Sequence, residues 1–215
     1  YRLLFGSRIA LEEAMLQAAT NAALPTVVLG TDEPSRTPSA TLLGVTLHSG
    51  DILLSRGGAA TSALIARGND FPGNFSHVVL LHVDEQTGKA SVIEAHIECG
   101  VAVASFDDYI RDKKLRVLVL RLRADLPALA ADPMLPHQAA SRALAEARCR
   151  HIPYDFAMDW RDHNAQFCSE VSAAAYEASG VRLWMGLSQI TSPTVRAWLA
   201  SLGVRHFETQ EPSDL

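Results

Sequence analysis

Residues 77–97 read HVVLLHVDEQTGKASVIEAHI. Two short apolar runs, HVVLLHV (77–83) and ASVIEAHI (90–97), flank DEQTGK, a polar connection carrying turn-forming Asp, Thr and Gly. The pattern predicts an antiparallel hairpin. Upstream, TLLGVTLHSGDILLS (41–55) holds two more β-like runs broken at Ser49-Gly50-Asp51, and downstream RVLVLRL (116–122) supplies a third apolar run. Between them fall a short helix at 59–66, the turn-rich loop GNDFPGN (68–74) and a helical stretch around Phe106–Ile110.

After residue 122 the hydrophobic period becomes helical. Pro136 suits the first turn of a helix running through Arg150, and 166–179 predicts an Ala-rich helix ended by Gly180. Residues 188–202 predict a third helix around Pro193. Strands followed by helices, rather than alternating strand and helix, give an α+β domain with an antiparallel sheet. At the other end, Leu3, Leu4, Ile9, Leu11, Met15, Leu16 and Ala19 form a helical stripe over residues 3–23 that stops before Pro25. The loop-like GTDEPSRTPSA (30–40) then divides an N-terminal helical appendage and linker, 1–40, from a main domain, 41–215. The expectation is that the helix packs on its own domain; docking on another protein is the alternative.

The chain has 215 residues, 48% of them apolar and 20% charged, with net charge −5. That balance excludes disorder, and the absence of a basic surplus excludes nucleic acid as the main partner. Three cysteines are too few and too odd for a disulfide framework. No run approaches the roughly 18 apolar residues of a membrane span. The start, YRLLFGSRIALEEAML, is amphipathic and acidic in its second turn, unlike an intact signal peptide. Compartment stays open, with the cell envelope or periplasm favoured over the cytoplasm; oligomeric state stays open too.

No Walker loop, GxSxG elbow, HExxH or paired CxxC occurs, which narrows the chemistry to Cys and His. Cys168, in AQFCSEVSAAAYEASG (165–180), stands at a predicted helix start, where free N–H groups and the helix dipole favour a thiolate and can hold an oxyanion. The alternative is a buried Cys acting as a small hydrophobe. For Cys99 and Cys149 the structural reading leads. His77 begins a strand next to a loop and is the candidate base, while His82, five residues on, points to the opposite face. Glu94 lies mid-strand between Ile93 and Ala95 and needs a partner there. It is the candidate for orienting the His, with His96 on the same face as a rival in that place. A metal reading collects His77, Glu94, His96 and Cys99, whose spacing fits no usual zinc pattern.

The segments GDILLS, FSHVVLLHV and VIEAHIECGVAVASFDDYI resemble one half of the NlpC-type papain-like cysteine peptidases, and FCSEVSAAAYEASGVRL resembles their nucleophile helix. In ordinary members the Cys half comes first; here it comes last. That order resembles the circularly permuted branch, the YiiX/YebB-like proteins related to lecithin:retinol acyltransferase-type enzymes. The resemblance covers about residues 44–190. It implies a permuted papain-like fold with the antiparallel sheet packed on helices and the nucleophile at a helix N-terminus.

It further implies Cys168 as nucleophile, His77 as base and Glu94 as the residue orienting His77. Tyr154-Asp155 matches a family "YD" and Gly50-Asp51 the strand-opening turn, so Asp51, Tyr154 and Asp155 are expected to shape the site, with a purely structural role as the alternative. Phe167 stands where Tyr is common in the family. The function implied is a cysteine hydrolase, a thiol protease or amidase of amide or ester bonds working through an acyl-enzyme, with no cofactor. Its substrate is a small acyl or peptide group: a cell-wall peptide, an N-acyl or lipid-like amide, or an ordinary peptide. The alternatives are an inactive ligand-binding module on the same fold, or an acyltransferase. Phe71, Phe75, Phe156, Trp160, Phe167, Trp184 and Met185 are read either as core or as the wall of an acyl pocket.

Overall fold

The computed structural model describes residues 2–18 and 30–215. In chain order the elements are α1 (Arg2–Gln17), β1 (Ser39–Leu42), β2 (Val45–His48), β3 (Ile52–Gly57), α2 (Ala60–Arg67), β4 (His77–Val83), β5 (Ala90–His96), β6 (Gly100–Ser105), α3 (Phe106–Arg111) and β7 (Lys114–Leu120). Then follow α4 (Pro127–Ala131), α5 (Leu135–Cys149), α6 (Cys168–Glu177), β8 (Ser188–Gln189), α7 (Pro193–Ser201) and β9 (Glu208–Thr209).

Five strands form one antiparallel sheet in the order β6-β5-β4-β3-β7. The predicted hairpin is its centre, with Leu80 opposite Ile93 and Val83 opposite Ala90. Strand alternation then sorts the apolar side chains onto two faces. Ile52, Leu54, Val78, Leu80, Ile93 and Ala95 look toward α5 and α6, where they meet Ala139, Ala140, Val171 and Tyr176. Leu53, Val79, Leu81, Val83 and Val92 look the other way, onto Leu47 of the β1–β2 ribbon and Phe106 and Tyr109 of α3. Both faces are covered, which is why the central strands read as continuous apolar runs rather than alternating ones.

Small residues let α6 lie close to the sheet, and Tyr176 fixes its C-terminal half by donating its hydroxyl to the Gly50 carbonyl at 2.5 Å. Gly50 has φ +95°, and a Cβ there would fall 2.4 Å from Pro136 Cβ, so only glycine lets α5 close over the turn. Gly100 does the same service at the other edge: its φ is +73° and a Cβ would lie 2.1 Å from the Ile152 carbonyl oxygen. That carbonyl accepts from Val101 N at 2.9 Å, so the segment leading to Tyr154 is laced directly onto β6.

The structure departs from the sequence reading in four places. The helix expected over 188–202 starts only at Pro193, and Ser188–Gln189 pair with β9 instead. Residues 41–55 form parts of three strands, because β1 begins at Ser39 inside the stretch read as linker and pairs with β2. β6 was not read from local residues; its Gly and Ala content is poor in strand propensity, and pairing with β5 makes it a strand. The apolar stripe of α1 does not face the domain: Leu3 is 86% exposed, Leu4 and Leu11 are also exposed, and the buried position is Glu12 at 3%. The end of the predicted stripe at Ala19–Ala23 and Pro25 lies outside the described residues. Among the described residues no helix is long and apolar enough to cross a membrane.

Candidate active site

The period of β5 puts Glu94 and His96 on the face opposite Ile93 and Ala95, and the start of β4 brings His77 beside them. Glu94 is buried and bridges both rings: its Oε2 lies 2.6 Å from His77 Nε2 and its Oε1 3.2 Å from His96 Nε2. The two rings stand 5.8 Å apart, centroid to centroid. Burial pushes the Glu94 carboxyl up, but hydrogen bonds and charge from His77 and His96 outweigh it and bring it down to about 2. A carboxylate only accepts, so the proton in the short contact sits on His77 Nε2. The neutral ring therefore turns its other nitrogen, Nδ1, free to accept.

Cys168 is the first residue of α6 and buried, and it stands close enough to His77 to act on its ring. Burial lowers the His77 pKa, yet the bonds to Cys168 and Glu94 and their negative charges raise it to about 9. The imidazolium is thus favoured at neutral pH whenever the thiolate stands beside it. A thiolate, an imidazolium and a carboxylate in series is an arrangement able to attack a carbonyl and to hand a proton to a leaving group.

The start of α6 is held by Glu170, whose carboxyl accepts from Phe167 N at 2.7 Å across the first turn. Glu170 is fully buried. Burial, with the charges of Asp155, Cys168 and Asp159 behind it, outweighs the Phe167 N–H and raises its carboxyl to about 9. A protonated Glu170 keeps the turn capped without setting a second negative charge beside the thiolate. Sequence reading quoted this residue in FCSE but gave it no role; a carboxylate two positions after a candidate nucleophile and three after the residue preceding the helix was the available signal.

Tyr154 packs edge-on against Phe156, with ring centroids 5.1 Å apart. Burial, joined by the negative field of Cys168, Glu211, Glu170 and Asp155, pushes its phenol above the usual range, so it stays a hydrogen-bond donor near Cys168. Asp155 is buried and shapes the loop, accepting from Ala157 N at 2.8 Å and Asp159 N at 2.6 Å. Asp51 lies at the far end of β3 from Ser55, the residue paired with His77. There it takes two bonds from Arg121, at 2.8 and 2.9 Å, and one from His48 N at 2.8 Å, so it holds the turn between β2 and β3 and meets neither Cys168 nor His77.

The remaining sequence candidates separate cleanly. His82 points to the other face, as its spacing required, and stacks on His137 at 5.3 Å. Cys99 and Cys149 are exposed. Phe167 and Trp184 are buried, whereas Phe71, Phe156 and Met185 are exposed. An apolar cleft of about 240 Å³ instead lies between α5 and α6, lined by Ile93, Val101, Ala143 and Ile152. Among the described residues no group of three or more His, Cys, Asp or Glu side chains is placed to hold a metal ion.

Comparison with known proteins agrees with the fold. A family model described as permuted papain-like amidase enzyme, YaeF/YiiX, C92 family, matches residues 46–201. No curated protein matches the chain. Among solved structures, the crystal structure of the metalloprotein YiiX from Escherichia coli O157:H7 is similar in fold, with TM-score 0.54 and 22% identity over 76% of this chain and 86% of that one.

Proposed function

The chain belongs to the C92 family of permuted papain-like amidases and is a cysteine amidase/peptidase-type hydrolase; from that premise we propose that Cys168 is its nucleophile, His77 its general base and acid, and Glu94 the residue that orients His77. The observation that supports the reading is the 2.6 Å contact between His77 and the buried Glu94, with Cys168 at the start of α6 raising the His77 pKa. Cys168 Sγ attacks the carbonyl carbon of an amide, and the carbonyl oxygen takes the negative charge. The Cys168 backbone N–H at the helix start and the Tyr154 hydroxyl are the donors available to it. The carbon–nitrogen bond breaks as His77 protonates the amine, leaving a thioester on Cys168. His77 then takes a proton from water, whose oxygen attacks the thioester and releases the acid and the free thiol.

The substrate is an N-acyl or peptidyl amide presented from the side of the site that Phe156 and Tyr154 flank. The test is a set of N-acyl amides of rising chain length together with short peptides, assayed on wild type, Cys168→Ala and His77→Ala, with mass spectrometry of the intact chain during turnover. Expected are a trapped acyl mass on Cys168 in the wild type and loss of turnover in both variants. Turnover that survives in Cys168→Ala, or an acyl mass on Cys99 or Cys149, overturns the assignment.

A further inference from the structure

Glu12 is the one buried residue among the described side chains of α1, and three guanidinium groups converge on it. Its Oε1 lies 2.8 Å from Arg116 Nη1; its Oε2 lies 3.2 Å from Arg56 Nη2 and is bonded also by Arg67. Arg56 and Arg116 sit directly opposite each other across β3 and β7, a like-charge pair that a sheet tolerates only with an anion between. Among the described residues no other carboxylate pairs with Arg56, Arg67 or Arg116. With Arg8 of α1 in the same field, one carboxylate faces four guanidinium groups, and burial of Arg56 together with its arginine neighbours pulls that guanidinium below its ordinary value. Arg56 also keeps a buried Nε without a partner.

Among the described side chains of α1, Leu3, Leu4, Ile9 and Leu11 are exposed and Met15 is half-buried. Its hydrogen bonds and ion pairs to the domain include those of Glu12, a bond from Arg8 to Asn74, and Lys113 Nζ donating to the Leu16 carbonyl at 3.0 Å. A helix docked by charge, with those four apolar side chains in water, is displaced by a better anion more readily than by loss of hydrophobic contact. In the chain the cluster adjoins the strand that carries His77. Arg56 follows Ser55, the partner of His77 across β3 and β4, and Arg116 donates to the Asn74 carbonyl three residues before His77.

We propose that Arg56, Arg67 and Arg116 form a binding site for a carboxylate-bearing ligand, and that Glu12 of α1 is its tethered occupant in this structure. Bidentate pairing of guanidinium with carboxylate supplies the recognition. Taken with the hydrolase reading above, on which this step rests, the ligand is the free carboxylate of an acyl or peptide substrate, and α1 competes with it.

The experiment separates binding from turnover by using succinate, which the proposed chemistry cannot cleave. Succinate binding is measured by calorimetry, and thermal midpoints are followed with succinate and with neutral succinamide at fixed ionic strength, on wild type and Glu12→Gln. Removing a charged competitor should make succinate bind about tenfold tighter to Glu12→Gln than to wild type, and raise that variant's midpoint where succinamide does not. Adding Arg67→Gln, at a part-exposed position, should reverse the gain. If Glu12→Gln does not fold without ligand, wild type is used with a fluorophore at the exposed Ser7, whose signal should change as succinate displaces α1. Equal effects of succinate and succinamide, or no binding by either protein, overturn the site whether or not the chain hydrolyses amides. Succinate binding with no amide turnover would keep the site and discard its tie to the active centre.

Discussion

Glu94 touches two imidazoles, and the geometry ranks them. His77 has the shorter contact, 2.6 Å against 3.2 Å, and Cys168 acts on its pKa. Replacing the carboxylate with an amide keeps the shape but removes the charge that fixes the Nε2 proton, so Nδ1 no longer reliably presents a lone pair. Glu94→Gln is therefore expected to lower kcat by about 10²-fold or more with a smaller change in KM, and His96→Ala to change kcat by less than about tenfold. Steady-state assays on the best amide substrate check both; equal losses in the two variants would make His96 a working member of the site. At this scale much was legible beforehand. A buried strand carboxylate announces a partner through its desolvation cost, and a period of two told His77 from His82. The capping place of Glu170 was legible but its protonation was not, because that depends on burial and on a field from Asp155, Asp159 and Cys168, which are gathered only by folding.

Elements assemble that field, and two glycines show how narrowly. Gly100 takes a positive φ with its Cα face pressed on the Ile152 carbonyl, and the segment so anchored runs on to Pro153, whose carbonyl accepts from Gln166 N at 2.9 Å, two residues before Cys168. Gly100→Ala meets both the left-handed strain and a backbone atom that cannot step aside. The expected cost is about 2 kcal/mol or more, read as a lowered denaturant midpoint, with activity falling further than the folded fraction because Tyr154 and the α6 start move with the segment. A variant as stable as wild type would show that this lacing carries no load. The hairpin and the helices were legible from periodicity, since their apolar residues repeat at 2 and 3.6 as the faces demand. β6 and the orientation of α1 were not. The first is imposed by a neighbouring strand, and the second by three arginines drawn from β3, α2 and β7, which outweigh the pull of an apolar stripe.

The order of the two halves, strands with His and Glu first and Cys helix last, is visible in the linear sequence. The balance of protons over the folded molecule is not, and it carries a prediction about stability. His77 is raised from 6.5 to about 9, so the stability it contributes is complete below 6.5 and is lost as pH climbs through about 9. Glu170 and Glu211 are raised from 4.5 to about 9 and about 8, both chiefly by burial, so the folded chain holds protons that the unfolded chain releases, and stability again falls as pH rises above 4.5. Glu94 acts on the acid side: lowered from 4.5 to about 2, it adds stability above 4.5 that disappears as pH drops toward 2. His82 and Lys114, both lowered chiefly by burial, work against the alkaline loss, but they are two groups against three. Stability should therefore peak in the mildly acidic range near the ordinary carboxylate value, and the unfolding midpoint should drop by at least about 5 °C on going from there to about pH 9. Calorimetric scans across that interval measure it. Glu170→Gln should flatten the alkaline limb, since the amide holds the same buried place with no proton to lose, whereas Glu94→Gln should remove the acid limb and part of the alkaline one through His77. A midpoint that stays level or rises between those pH values would show that Glu170 and Glu211 ionise freely in the folded chain, and the electrostatic account of the α6 start would fall with it.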